Sequence, residues 1–209
     1  MHSTRETGPP TRIPVMSAGE PINLTNQFLI AMPGMADENF AGTVIYLCEH
    51  TARGALGLVI NRPIDIKLKS LFEKVELSLE QPELADQPVY FGGPVQTERG
   101  FVLHPKTDIV PSPYSSTMVI PGAPLEMTTS KDVLEAISQG SGPSKMLVML
   151  GYSGWSAGQL EEELGRNGWL TVDAEPAVIF DTPVEERYER ALQLLGIDPR
   201  MLSQEAGHA

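Results

Sequence analysis

The sequence predicts an α+β fold, a single domain in which helices pack on a mixed, mostly antiparallel sheet. Three observations carry that reading. Short β-branched and aromatic runs alternate with hairpin-sized links, apolar stripes at spacings of three and four follow capping residues, and no segment repeats another. The 209 residues are 41% hydrophobic, enough for one sizeable core, and nothing marks a seam between two.

Residues 1–20 are rich in Pro, Gly, Ser and Thr and hold few anchoring side chains, so they read as a disordered tail before a domain over 21–209; Met16 offers a second start. Phe28 to Met32 and Thr43 to Cys48 read as strands. Thr51-Ala52-Arg53-Gly54 then turns the chain into Leu56 to Ile60, paired antiparallel with the strand before it. Asp65 is placed to cap a helix bearing Leu68, Leu71, Phe72 and Val75 on one stripe. Polar residues 76–87 read as an exposed connection, followed by strands at Val89 to Phe91 and Phe101 to His104 with a turn over Gln96 to Gly100 between them. After a strand near Thr117 to Ile120, Thr129-Ser130-Lys131-Asp132 opens a helix that stops at Gly140.

Lys145 to Leu150 lacks alternation, as a strand covered on both faces does, and reads as central. Ser156 and Gln159 form a capping-box spacing ahead of a helix that releases at Gly165, and Asn167-Gly168 turns into a strand over Trp169 to Val172. Ala177 to Phe180 reads as a further strand. Thr182-Pro183-Val184-Glu185 starts a helix whose inner stripe is Val184, Tyr188, Ala191, Leu192 and Leu195, and Asp198-Pro199 opens one more turn.

Composition bounds the function. Twenty-seven acidic against 15 basic residues give a formal charge of −12, and no run of Lys and Arg forms a stripe, which argues against direct nucleic-acid binding and against anionic membrane surfaces. One cysteine, Cys48, rules out an intrachain disulfide, and no apolar run is long enough to span a bilayer. A cytoplasmic protein is expected.

Three apolar runs end in glycine and polar clusters: Asn61-Arg62-Pro63, Gly92-Gly93-Pro94 and Gly151-Tyr152-Ser153-Gly154-Trp155. Strand ends of this kind present backbone donors to ligands, and Arg62 offers a two-pronged grip on a carboxylate or phosphate, or an internal salt bridge. Together Asn61, Arg62, Gly92, Gly93, His104, Ser153 and Trp155 are the candidate ligand-binding cleft, provided that their strand ends converge. Ser153 falls short of a nucleophile elbow, which needs glycine two positions to either side; Trp155 takes the second place. Cys48-Glu49-His50 is the candidate redox site, since an imidazole on the same strand face can activate a thiol; a small buried thiol is the plainer reading. Phosphate-loop spacings are absent, Glu161, Glu162 and Glu163 occupy the start of their helix, and His104-Pro105 reads as structural. No catalytic residue, metal site or cofactor is assigned.

Asn23 to Pro33, Tyr46 to His50, Gly57 to Pro63, Phe91-Gly92-Gly93-Pro94-Val95 and Gly151 to Trp155 through Gln159 to Glu163, in this order over about Ile22 to Leu195, resemble the YqgE/AlgH family of bacterial proteins. Thr51 departs from the asparagine expected after the histidine. The resemblance implies a branched, barrel-like sheet, a cytosolic bacterial protein and a largely undefined activity; some members are named as transcriptional regulators of alginate production. With no helix-turn-helix or basic stripe, the expectation is a non-enzymatic binding or regulatory protein acting indirectly through a small anionic ligand or a protein partner. The alternative is a hydrolase or thiol enzyme using Ser153 or Cys48 with a nearby histidine.

Overall fold

The computed structural model of the chain describes residues 21–205; the tail expected over 1–20 lies outside them. Strands β1 (Gln27–Ala31), β2 (Val44–Thr51) and β3 (Gly54–Val59) form the expected meander. Strand β4 (Pro63–Lys67) takes up Asp65, so the expected cap at Asp65 is a strand residue, and helix α1 (Leu68–Lys74) starts only after Lys67. The cause is local: half-buried Ile64 and Ile66 alternate with exposed neighbours, the period of a strand. A short helix, α2 (Pro82–Ala85), interrupts the polar connection before β5 (Pro88–Phe91).

Strand β6 (Val95–Pro105) absorbs Gln96 to Gly100, the segment expected as a turn. Gln96 has φ 47° and the register slips between Val95 and Gly100, so these residues form an exposed bulge rather than a reversal. Strand β7 (Thr117–Val119) pairs with β8 (Leu125–Thr128), which the sequence reading passed over because Glu126 and Thr128 disguise four buried positions. Helix α3 (Lys131–Ser138) precedes β9 (Leu147–Ser156), α4 (Gln159–Gly165) and β10 (Trp169–Asp173). Pro176–Phe180, expected as a strand, is helix α5; Pro176 sits in its first turn, where a missing N–H costs nothing. A single 3-10 turn (Val184–Glu186), α6 (Arg187–Leu194) and α7 (Pro199–Glu205) complete the described chain.

The ten strands make one curled, half-barrel sheet in the order β10-β1-β2-β3-β9-β6-β8-β7, with β4 and β5 branching from β9. Most pairs are antiparallel; β5 runs parallel to β9. Alternate side chains feed different cores. Tyr46, Leu58, Leu103 and Met149 enter the main core beneath α5 and α6, Val102 and Val148 enter a second beneath α1 and α3, and Ile45, Leu47 and Val59 meet Trp155, Leu160 and Trp169 in a third beneath α4. Each large apolar side chain so enclosed stabilises the fold by roughly 1.5–3 kcal/mol, which is why β9, apolar on both faces, sits at the centre.

Candidate functional site

The glycine clusters do meet, and they meet in solid contact. Strand β9 continues through Gly151 to Ser156 instead of ending at Leu150, so the expected strand-end loop is strand. A Cβ on Gly92 would lie 2.2 Å from the Gly151 carbonyl oxygen, one on Gly93 2.1 Å from the Tyr152 carbonyl carbon, and one on Gly151 2.3 Å from the Gly93 oxygen. Ser153 is buried at the same crossing and donates its hydroxyl hydrogen to the Gly92 carbonyl at 3.1 Å. Arg62 lies alongside, its guanidinium 5.8 Å from the Phe91 ring centroid, and donates to the carbonyls of Glu38, Asn39 and Ala41. These carbonyls take the place of the salt bridge entertained for Arg62. Asn61 accepts from Val44 N at 2.8 Å and donates to the Gly42 carbonyl at 2.9 Å. Trp155 stacks with Phe40, and its indole N–H shares Glu163 Oε2 with that of Trp169, at 3.0 and 2.8 Å.

Cys48 and His50, expected on one strand face, lie on opposite faces. The β2–β3 register slips between Leu47 and Glu49, so Cys48 is an extra residue that keeps its side chain with Tyr46 in the main core and turns His50 to the α4 side. Burial pushes the Cys48 thiol well above its ordinary range, with the Glu49 charge adding to the effect. His50 accepts Leu24 N–H at Nδ1, 3.0 Å, which puts the ring proton on Nε2, where it is donated to Glu161 Oε1 at 2.9 Å.

His104 is remote from Ser153. Leu103 faces Leu147 across β6–β9, and from 147 to 153 the strand covers roughly 20 Å. Its Nδ1 lies 2.8 Å from the Pro105 carbonyl, which can only accept, so the proton is on Nδ1, and Nε2 takes the Thr128 hydroxyl at 2.9 Å. Burial lowers the pKa of His104, against the opposing pull of the Pro105 carbonyl and the Glu126 charge.

Open space lies elsewhere, and three of the hollows are neighbours. One, of about 470 Å³, runs between His104 to Ile109, Tyr114 and Asp132 on one side and Ser141 to Ser144 on the other. A second, of about 520 Å³, shares Gly142, Pro143 and Ser144 with the first and extends over Gln81, Gln87, Lys145, Met146 and Phe180. The third, of about 220 Å³, shares Gln87, Met146 and Phe180 with the second and holds Tyr90 and Arg187. Arg187 is 5% exposed; it donates from Nε to the Thr182 carbonyl at 3.0 Å and from Nη1 to the Ile60 carbonyl, and its guanidinium lies 5.2 Å from the Tyr90 ring centroid. Of the residues expected to form a cleft, His104 borders the first hollow, while Asn61, Arg62, Gly92, Gly93, Ser153 and Trp155 line none of the three. Sequence reasoning missed Arg187, although a signal existed: it stands three residues after Val184 and four before Ala191, on the inner stripe of its helix.

Among the described residues no three His, Cys, Asp or Glu side chains are grouped to hold a metal ion, and no helix is long and apolar enough to cross a membrane. The solution structure of the AlgH protein from Pseudomonas aeruginosa is similar at a TM-score of 0.73 and 50% identity, covering 93% of this chain and 100% of that one. A crystal structure from Corynebacterium diphtheriae, 20% identical over 92% of this chain and 95% of its own, shares the fold at a TM-score of 0.65. A UPF0301 protein of Ralstonia nicotianae is 69% identical over 92% of this chain and 99% of its own length, and one of Cupriavidus pinatubonensis is 68% identical over 90% and 97%. A family profile described as AlgH-like matches residues 28–200, and the chain belongs to that family.

Proposed function

We infer that the protein is a non-enzymatic, cytoplasmic binding protein, which takes a small ligand into the hollows beside residues 142–146 and exerts any effect on transcription indirectly. One contrast carries this reading. Groups suited to covalent chemistry are engaged inside the fold, Ser153 with a backbone carbonyl, Cys48 in the core and both His50 nitrogens in hydrogen bonds, while neighbouring hollows that none of these residues lines stand open. The charge of −12 supports the indirect route, since it repels a phosphate backbone. A protein partner is favoured by one further observation: Ile109, Val110 and Val119 are exposed, the last on edge strand β7 and the others in the loop before it.

A thermal-shift screen of metabolites on the full chain tests the reading, because a ligand bound only by the folded state raises the melting temperature. Binding without turnover is the expected result. Hydrolysis of simple esters or thioesters that disappears in Ser153→Ala or Cys48→Ala would establish the enzyme alternative, and salt-dependent anisotropy with duplex DNA would establish direct DNA contact.

A further inference from the structure

We propose that the niche containing Arg187 binds the carboxylate of a small, singly charged acid, a deepening that rests on the binding-protein reading above. Arg187 is only 5% exposed, yet among the described residues no carboxylate oxygen lies within 4.0 Å of it. Taking a guanidinium out of water is costly unless an anion or a full set of acceptors replaces the solvent. Two carbonyls and the face of Tyr90 replace only part of it. Among the described residues Nη2 donates to no atom and every fully buried side-chain nitrogen or oxygen has a partner, so Nη2 is where Arg187 meets the open space it lines.

The surroundings select the anion. A volume of about 220 Å³ holds roughly seven waters' worth of ligand; Leu68, Met146, Leu147 and Phe180 stand around it with Arg187 and Gln87, and more of its exposed lining is polar than apolar. A planar carboxylate matches the free edge of a guanidinium and carries one negative charge against one positive. A phosphate dianion would bring a second negative charge against the single positive charge of Arg187, inside a protein of net charge −12. The wider hollow shares Gln87, Met146 and Phe180 with the niche and lies beside it. Lys145, half exposed and 2.5 Å from Asp181, and Glu83 line that wider hollow, so its charge is mixed and the selection for an anion falls to Arg187.

Benzoate, its neutral counterpart benzamide and inorganic phosphate are the probes, titrated into the isotope-labelled full chain and followed by amide and arginine Nε–H resonances. Benzoate is expected to give saturable shifts at Tyr90, Leu147, Val148, Phe180 and the Arg187 Nε–H, to bind roughly tenfold or more tighter than benzamide, and to outcompete phosphate. Arg187→Gln should abolish these shifts. Because Gln cannot hold both Ile60 and Thr182, Met146→Trp, which fills the niche and leaves Arg187 in place, gives the same test with the guanidinium retained. Equal binding of benzoate and benzamide, tighter binding of phosphate, or no saturable shift at those residues would overturn the proposal. Shifts confined to residues 104–114 would overturn this site while leaving the binding reading standing, whereas ester turnover would sink the wider reading itself.

Discussion

Strands β5 and β9 build two opposite kinds of place along one pairing. At the end carrying Gly92, Gly93 and Gly151 their backbones approach until no Cβ fits, and Ser153 is enclosed. At the other end Pro88, Tyr90, Met146 and Leu147 hold the walls apart and leave the niche of Arg187. Glycine at a strand end is read as an opening for ligands, but here its missing side chain serves the contact of two backbones. Space comes instead from bulky residues, which keep neighbouring elements at a distance.

Breaking the closed end should have the largest effect. Gly151→Ala places a methyl group 2.3 Å from the Gly93 carbonyl oxygen on a residue with φ +74°, and should cost about 3 kcal/mol in urea unfolding, or prevent folding. Next comes Glu163→Ala, which leaves the indole N–H groups of Trp155 and Trp169 without their shared acceptor; a loss of about 2 kcal/mol is expected, partly restored in Glu163→Gln. Ser153→Ala should cost only about 1 kcal/mol, because the Gly92 carbonyl keeps its bond from Val59 N–H.

The smallest effect probes the open side, where His104 borders a hollow. Its pKa is lowered from the ordinary value of 6.5, so the unfolded chain takes up a proton before the folded one does. Stability is therefore full above about pH 6.5 and declines as pH falls toward the folded value, where the decline levels off. Urea midpoints measured down this range should fall less steeply in His104→Gln than in the parent chain, and identical slopes would exclude His104 as a source.

Most of the sheet was legible because its strands obey local rules. The β2–β3 hairpin follows from two β-rich runs around a short glycine link, and β9 showed its burial on both faces by its unbroken apolar run. What escaped was set by tertiary contact. Gly151 looks like a stop, yet β9 passes through it because β5 and β6 lie against the same strand. Ala177 to Phe180 is too short for its period to separate helix from strand, and packing against α6 decided for helix. The bulge at Cys48, which sends His50 to the other face, inserts a single residue that no alternation pattern reveals in advance. For the candidate site, the residues with chemical reputations were visible and their engagement in packing was not. Arg187 was visible too, but on a helix face where a long side chain is ordinarily read as one that reaches out to water.

Strand β9 touches β3, β5 and β6, so the middle of the sheet draws together segments that leave the ribosome far apart in time. Until residue 156 has emerged, β3 and β5 lack their shared neighbour, and β1 waits longer still for β10. At a translation speed of about 5–20 residues per second, the pairing partners of β9 wait seconds for it, so the centre of the sheet can close only late in synthesis.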